Sequence, residues 1–186
     1  MGSWASHAKA GIRRYPYSTN LTVNPETYKT LDSPGYWGVH AIGEVWAGML
    51  YQVEEGLRAK WGWSPDLFPT NTTGEDSFYL SEDEVNKLVG DKGRSSKRPI
   101  PRHGNTLALA LIIDGMKIQP CRPGFFEARD AIITADKQLT GGANECLIWS
   151  RFAQRGLGID ATVVGRTPWG SGIRKNGMKV PSKCQE

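Results

Sequence analysis

A chain of 186 residues with 39% hydrophobic residues and a formal charge of +4 suits one domain with a sizeable buried core. Its cations are scattered among 19 acidic residues rather than drawn into the stripe of a nucleic-acid binder. No run approaches the ~18 apolar residues of a membrane span, and no secretory signal opens the sequence, so neither nucleic acid nor membrane is an expected partner.

The first 37 residues, with Pro16, Pro25 and Pro34 among Asn, Ser and Thr, predict an extended, turn-rich lead-in. "NPETYKTL" (24–31) can open a single helical turn after Asn24. The period then changes. Ile42, Val45, Trp46, Met49, Leu50, Val53 and Leu57 recur at helical spacing and predict an amphipathic helix of about five turns. From Trp61 to His103 the pattern dissolves into a long loop, in which only "SEDEVNKLVG" (81–90) reads as helix, with Ser81 and Glu84 spaced as a capping box. The basic cluster at 92–103 reads as a solvated loop. Residues 104–157 predict three further helices, the second stopping at Gly141-Gly142 and the third starting at Asn144 and stopping at Gly156. The tail from Asp160 is Gly- and Pro-rich and is expected to add little to the core. No segment reads convincingly as strand, so the expected fold is mainly α: a helical bundle with one long loop insertion.

Cys121, Cys146 and Cys184 have neither zinc-finger nor C-x-x-C spacing. Cys121 precedes one predicted helix and Cys146 opens the next; a bridge between them would close a loop of about 25 residues and add roughly 3–4 kcal/mol. Cys184 is then left over. Two sequons, at Asn20 and Asn71, permit glycosylation on export.

The chemistry centres on "GVHAIGE". His40 and Glu44 are one helical turn apart and share a face. His40 reads equally as a buried imidazole at a helix start or as a donor facing a cleft. Glu44 could hold that imidazole or sit on a solvated face. Gly38 would let a substrate approach closely. Arg13 and Arg14 could fork onto a carbonyl or only solvate their loop. No H-E-x-x-H occurs, and the three histidines lie far from one another, so a zinc site built within this chain is not expected.

"GIRRYPYSTNLTVNPETYKTL", "VHAIGEVWAGMLYQV" and "LIIDGMKIQPCRPGFFEARDAIITADKQLTGGANECLIWSRFAQRGLG" resemble the C-terminal half of fungalysins, secreted zinc metalloendopeptidases of thermolysin-like architecture. The resemblance implies that residues 1–158 form the C-terminal helical lobe of the catalytic domain, with 60–103 as a loop insertion and 159–186 as an irregular tail. It implies an extracellular enzyme acting on protein or peptide substrates, with zinc held by ligands outside this chain in an N-terminal metal-binding part of the same enzyme. This chain alone, which carries no signal peptide, is then expected to be inactive. By resemblance His40 of Gly38-Val39-His40 stabilises the oxyanion, and Arg13, with Arg14 its rival, binds the substrate backbone. The position from which an aspartate would orient the histidine is Gly35, which leaves Asp32 and Glu44 as orienting candidates. The Cys121–Cys146 pair falls where the family carries a disulfide. A lobe parted from its metal-binding half should expose an apolar face, with Tyr36, Trp37 and Trp46 as candidates. The alternative is a stand-alone, non-catalytic paralogue that binds a partner as a decoy.

Overall fold

The computed structural model describes residues 2–8, 11–69, 77–165 and 172–185. Among them are six α-helices, α1 (Ser3–Ser6), α2 (Val39–Trp61), α3 (Glu82–Val89), α4 (Gly104–Ile118), α5 (Phe125–Thr140) and α6 (Glu145–Gln154). A two-stranded sheet of β1 (Thr162–Val164) and β2 (Ile173–Lys175) completes them. The fold is mainly α, as the periodicity predicts. No helix among the described residues is long and apolar enough to cross a membrane. Two compact units divide the chain: Met1–Gln52 with Phe152–Lys179, and Val53–Arg151 with Val180–Glu186.

The buried face of α2 is a stripe two residues wide: Glu44, Val45, Gly48, Met49, Gln52, Val53, Gly56 and Leu57. Four of the seven residues of the predicted stripe are there. Ile42, Trp46 and Leu50 lie at its edge, only half-buried, because Glu44, Gln52 and two glycines take their place. Hydropathy alone therefore sets the helix correctly but rotates its buried face.

In the first unit, Thr27 and Thr30 cap a 3₁₀ turn over Tyr28–Asp32 whose Tyr28 and Leu31 are buried. Met49, Phe152 and Leu157 add to this core, and Trp46 stacks on Phe152 at 5.8 Å between centroids. The chain leaves α6 through Gly156 at φ +79° and returns as the antiparallel β1–β2 pair, with Val163 opposite Arg174. These strands were not expected. Each is three residues long with only its middle residue half-buried, too short for an alternation to show. The tail is tied to the first unit: Arg174 donates to Asp32 at 2.9 Å, while Asn176 donates to the Thr27 hydroxyl and accepts from the Lys29 amide. Asn20 is exposed, and its side chain accepts from the Thr22 amide in a tight turn; Asn71 lies outside the described residues.

In the second unit, Ser81 and Glu84 cap α3 reciprocally, as their spacing predicts. The Glu84 carboxylate also receives both guanidinium nitrogens of Arg102, at 2.5 and 2.8 Å, and these hydrogen bonds hold its pKa down to about 2. Arg98 pairs with Asp114 at 2.7 Å, so two arginines of the basic cluster are spent on carboxylates within the fold. Helices α4 and α5 pack where Gly115 meets Ile132, and the first residue of α4, Gly104, lies against the α2 backbone at Leu57–Arg58. Asp136 of α5 is fully buried and accepts from the Thr140 hydroxyl at 2.7 Å and from the Asn144 backbone and amide side chain, each at 2.9 Å. Burial still raises its carboxyl above the ordinary range. The Asn144 side-chain oxygen accepts from Lys60 and from the Trp61 indole, so it ties down α2 instead of capping α6.

The bridge is Cys146–Cys184, with Cα atoms 5.1 Å apart, and Cys121 is free and exposed. This corrects the expected Cys121–Cys146 pair. Loop-closure entropy could not have chosen between them: closing 38 residues rather than 25 changes the estimate by only about 0.4 kcal/mol. Placement decides. A 3₁₀ turn at Ser182–Cys184 brings Cys184 to the first turn of α6, where Glu145 accepts from Lys183 at 2.7 Å and from Lys137 at 3.0 Å.

Candidate active site

The residues singled out in the sequence collect in the first unit, around the N-terminus of α2. Arg13, Arg14, Gly35, Gly38, His40 and Glu44 all come there from two segments. A turn at Ser33–Tyr36, closed by the Tyr36 amide on the Ser33 carbonyl at 3.1 Å, delivers the chain to the helix. Gly35 sits in it at φ +85°, where a Cβ would be strained and would also overlap the Arg14 guanidinium.

The arginine pair divides its work. Arg14 donates to the Gly35 carbonyl at 3.2 Å and lies 4.3 Å over the Tyr36 ring, so it braces the turn. Arg13 turns the other way and donates through Nη1 to the His40 carbonyl at 3.1 Å. Its Nε is buried with no hydrogen-bond acceptor, which leaves that single bond as the guanidinium's tether among the described residues.

His40, the second residue of α2, is exposed, and its imidazole makes no hydrogen bond among the described residues. Of the two readings of His40, the buried imidazole is therefore excluded. Beside it, the Gly38 position opens onto free space, with no atom within 4 Å of where a Cβ would stand.

Neither orienting candidate reaches the imidazole. Asp32 is bound by Lys29 at 2.7 Å and by the backbone and guanidinium of Arg174; burial would raise its carboxyl, but these bonds outweigh it and hold it low. Glu44 is 3% exposed, so it is not on a solvated face, and its carboxylate is engaged elsewhere. Its Oε1 accepts the backbone N–H of Arg14 at 2.7 Å and, more weakly, that of Tyr15 at 3.5 Å.

Beneath them lies a second buried carboxyl that sequence reasoning missed. Glu26 accepts from the Tyr36 hydroxyl at 2.8 Å, and its other oxygen is buried without a partner. Burial first, and the nearby Glu44 charge as well, raise the Glu26 carboxyl above its ordinary range. Burial and the bond to Glu26 raise Tyr36 to about 12. Tyr36 is thus 4% exposed rather than part of an open apolar face, Trp46 is half-buried, and only Trp37, at 74%, stands free. Arg155 runs under the same loop and donates to the carbonyls of Asn24, Glu26 and Ser18. In the sequence, Glu26 and Arg155 carried no signal beyond being polar residues in turn-rich or helix-end positions.

A family profile described as fungalysin metallopeptidase matches residues 1–161. The chain belongs to the fungalysin family. Fungalysin relatives include an extracellular metalloproteinase of Pyrenophora tritici-repentis, 44% identical over 183 residues, covering 98% of this chain and 23% of the relative. Extracellular metalloproteinase 4 of Arthroderma gypseum is 45% identical over 184 residues (99% and 24%), and the metalloproteinase mep of Aspergillus fumigatus is 44% identical over 171 (92% and 23%). The chain spans about a quarter of the length of the curated relatives it matches.

A metallopeptidase family implies a metal, typically zinc. The described residues of this chain do not fit one. No three His, Cys, Asp or Glu side chains gather as ligands, and Glu44, the nearest carboxylate to His40 along α2, is turned onto backbone amides. What the site does offer is hydrogen-bond donors: an open imidazole and a guanidinium on one helix end.

Proposed function

We propose that this chain forms one wall of the cleft of an extracellular zinc metalloendopeptidase that hydrolyses peptide bonds in proteins. The observation that carries this reading is the exposed His40 in the first turn of α2, whose backbone carbonyl the Arg13 guanidinium binds, next to the open position at Gly38. A peptide carbonyl under attack develops negative charge on its oxygen. An imidazole N–H aimed at that oxygen stabilises the transition state more than the ground state. Arg13, tethered through Nη1 to the His40 carbonyl, donates from its other terminal nitrogen to a substrate backbone carbonyl and holds the peptide across the helix end.

In this reading residues 1–158 are the C-terminal helical lobe of the catalytic domain, 60–103 an insertion and 159–186 a tail. The partner is the N-terminal metal-binding part of the same enzyme, which holds the zinc. Export would expose the sequon at Asn20 to glycosylation.

The test is His40→Ala in the complete enzyme. Loss of one oxyanion donor lowers kcat about 100- to 1000-fold with KM little changed. An unchanged kcat would refute the assignment of His40.

A further inference from the structure

Arg13 is held to its place by very little of its own. Among the described residues its side chain makes one hydrogen bond, to the His40 carbonyl, and its Nε has no acceptor. A long cation so weakly tethered points where its backbone points it. That backbone is fixed from one side chain. Glu44 Oε1 takes the N–H of Arg14 at 2.7 Å and lies 3.5 Å from that of Tyr15, from a site 3% exposed. A carboxylate accepting a backbone N–H away from competing water is a charge-assisted bond, about twice the strength of a neutral one. Glu44 is also four residues after His40 on the same helix, so one rigid helical turn carries both.

We propose that Glu44 is the positioning residue of this site: it docks the Arg13–Tyr15 segment onto α2 and so sets the distance between the Arg13 guanidinium and His40. This rests on the reading above, in which Arg13 and His40 meet the substrate. The carboxylate touches neither substrate nor imidazole; it acts through the loop backbone. Its register with His40 accounts for a charged residue in the buried stripe of α2, where the adjacent row carries the apolar Val45 and Met49. Glu26, whose carboxyl feels the Glu44 charge, and Arg155, which donates to the Glu26 carbonyl, complete the charged groups around this loop.

The test uses the complete enzyme and four variants: Arg13→Ala, Glu44→Ala, Glu44→Gln and the Arg13→Ala/Glu44→Ala double. A displacement near 1 Å at a substrate-positioning group lowers kcat/KM about 100-fold. Glu44→Ala is expected to lower kcat/KM by about 10- to 100-fold, largely through KM, as Arg13→Ala does. Because Glu44 works through Arg13, the double variant should be no worse than Arg13→Ala alone. Glu44→Gln, whose amide oxygen still accepts the two N–H groups, should stay within about threefold of the parent. Amide exchange on the 186-residue chain supplies an independent readout: the Arg14 amide should lose protection in Glu44→Ala and keep it in Glu44→Gln.

Multiplied effects in the double variant, or an Arg14 amide that exchanges equally in parent and Glu44→Ala, would overturn the positioning role while leaving the site reading intact. An Arg13→Ala enzyme with parental kcat/KM would instead remove Arg13 from the site, and the positioning proposal with it.

Discussion

Arg155 is 1% exposed, and its guanidinium ties together the loop on which the Arg13 segment is built. Nη1 donates to the Asn24 carbonyl at 2.6 Å and to the Glu26 carbonyl at 3.0 Å; Nη2 donates to the Ser18 carbonyl, and Nε lies 3.4 Å from the Gln52 side-chain oxygen. Arg155→Met keeps most of the length and volume, so a cavity contributes little, but it strips donors from three carbonyls. Two of those belong to the buried residues Asn24 and Glu26. Each buried carbonyl left without a donor costs about 1–3 kcal/mol. Relief of the guanidinium's own desolvation offsets part of the sum, and the net loss expected for removing one partner of a buried charged network is about 3–5 kcal/mol. For a chain of this size that is a fall in Tm on the order of 10 °C. The assay is urea denaturation followed by far-ultraviolet circular dichroism, comparing midpoints at constant slope. Arg155→Lys should fall in between, since one ammonium cannot span the three carbonyls that the planar fork reaches. A loss below about 1 kcal/mol for Arg155→Met would refute the claim that this arginine organises the loop.

Other outcomes follow from the same geometry. Burial raises the Glu26 carboxyl above its unfolded value, so its contribution favours folding at acidic pH and is lost as pH rises through the folded pKa. Glu26→Gln should therefore raise the urea midpoint near neutral pH and converge with the parent by about pH 4, near the ordinary carboxylate value; parallel curves would contradict this. Peptide mapping without reductant should recover Cys146 joined to Cys184 and Cys121 alkylated, and reduction should cost about 4 kcal/mol for a 38-residue closure. A Cβ at Gly104 would strike the backbone of Leu57–Arg58, so Gly104→Ala should destabilise by about 1–3 kcal/mol or more in the same urea assay, whereas a parental midpoint would mean that α4 can shift.

Much of the helical fold is legible in the sequence. The Ser81/Glu84 box starts α3 where its spacing says, and Gly141, at φ +70°, stops α5 in the left-handed conformation that a glycine permits. These signals are local, and each lies within one turn of the residue it governs. What escaped the reading is held across long sequence separations. Glu44 meets an amide 30 residues upstream, Arg155 a carbonyl 131 residues upstream, and Asp32 a strand residue 142 residues downstream. Only one hint of the first was present. Glu44, Gly48, Gln52 and Gly56 follow the helical period as faithfully as Val45, Met49, Val53 and Leu57 do, and two polar residues inside so regular a row argue for buried partners. The cysteine pairing failed for a different reason: the entropy of closing a loop grows so slowly with its length that it ranks partners poorly.

The Cys146–Cys184 bridge has a further consequence for what a backbone cut does to this chain. A single backbone cut anywhere from residue 147 to 183 leaves both fragments covalently joined. Such a nicked molecule would keep its mass on a non-reducing gel, and its fragments would come apart only when thiol is added. Damage to this stretch would be invisible to any separation by size that does not break the sulfur link first.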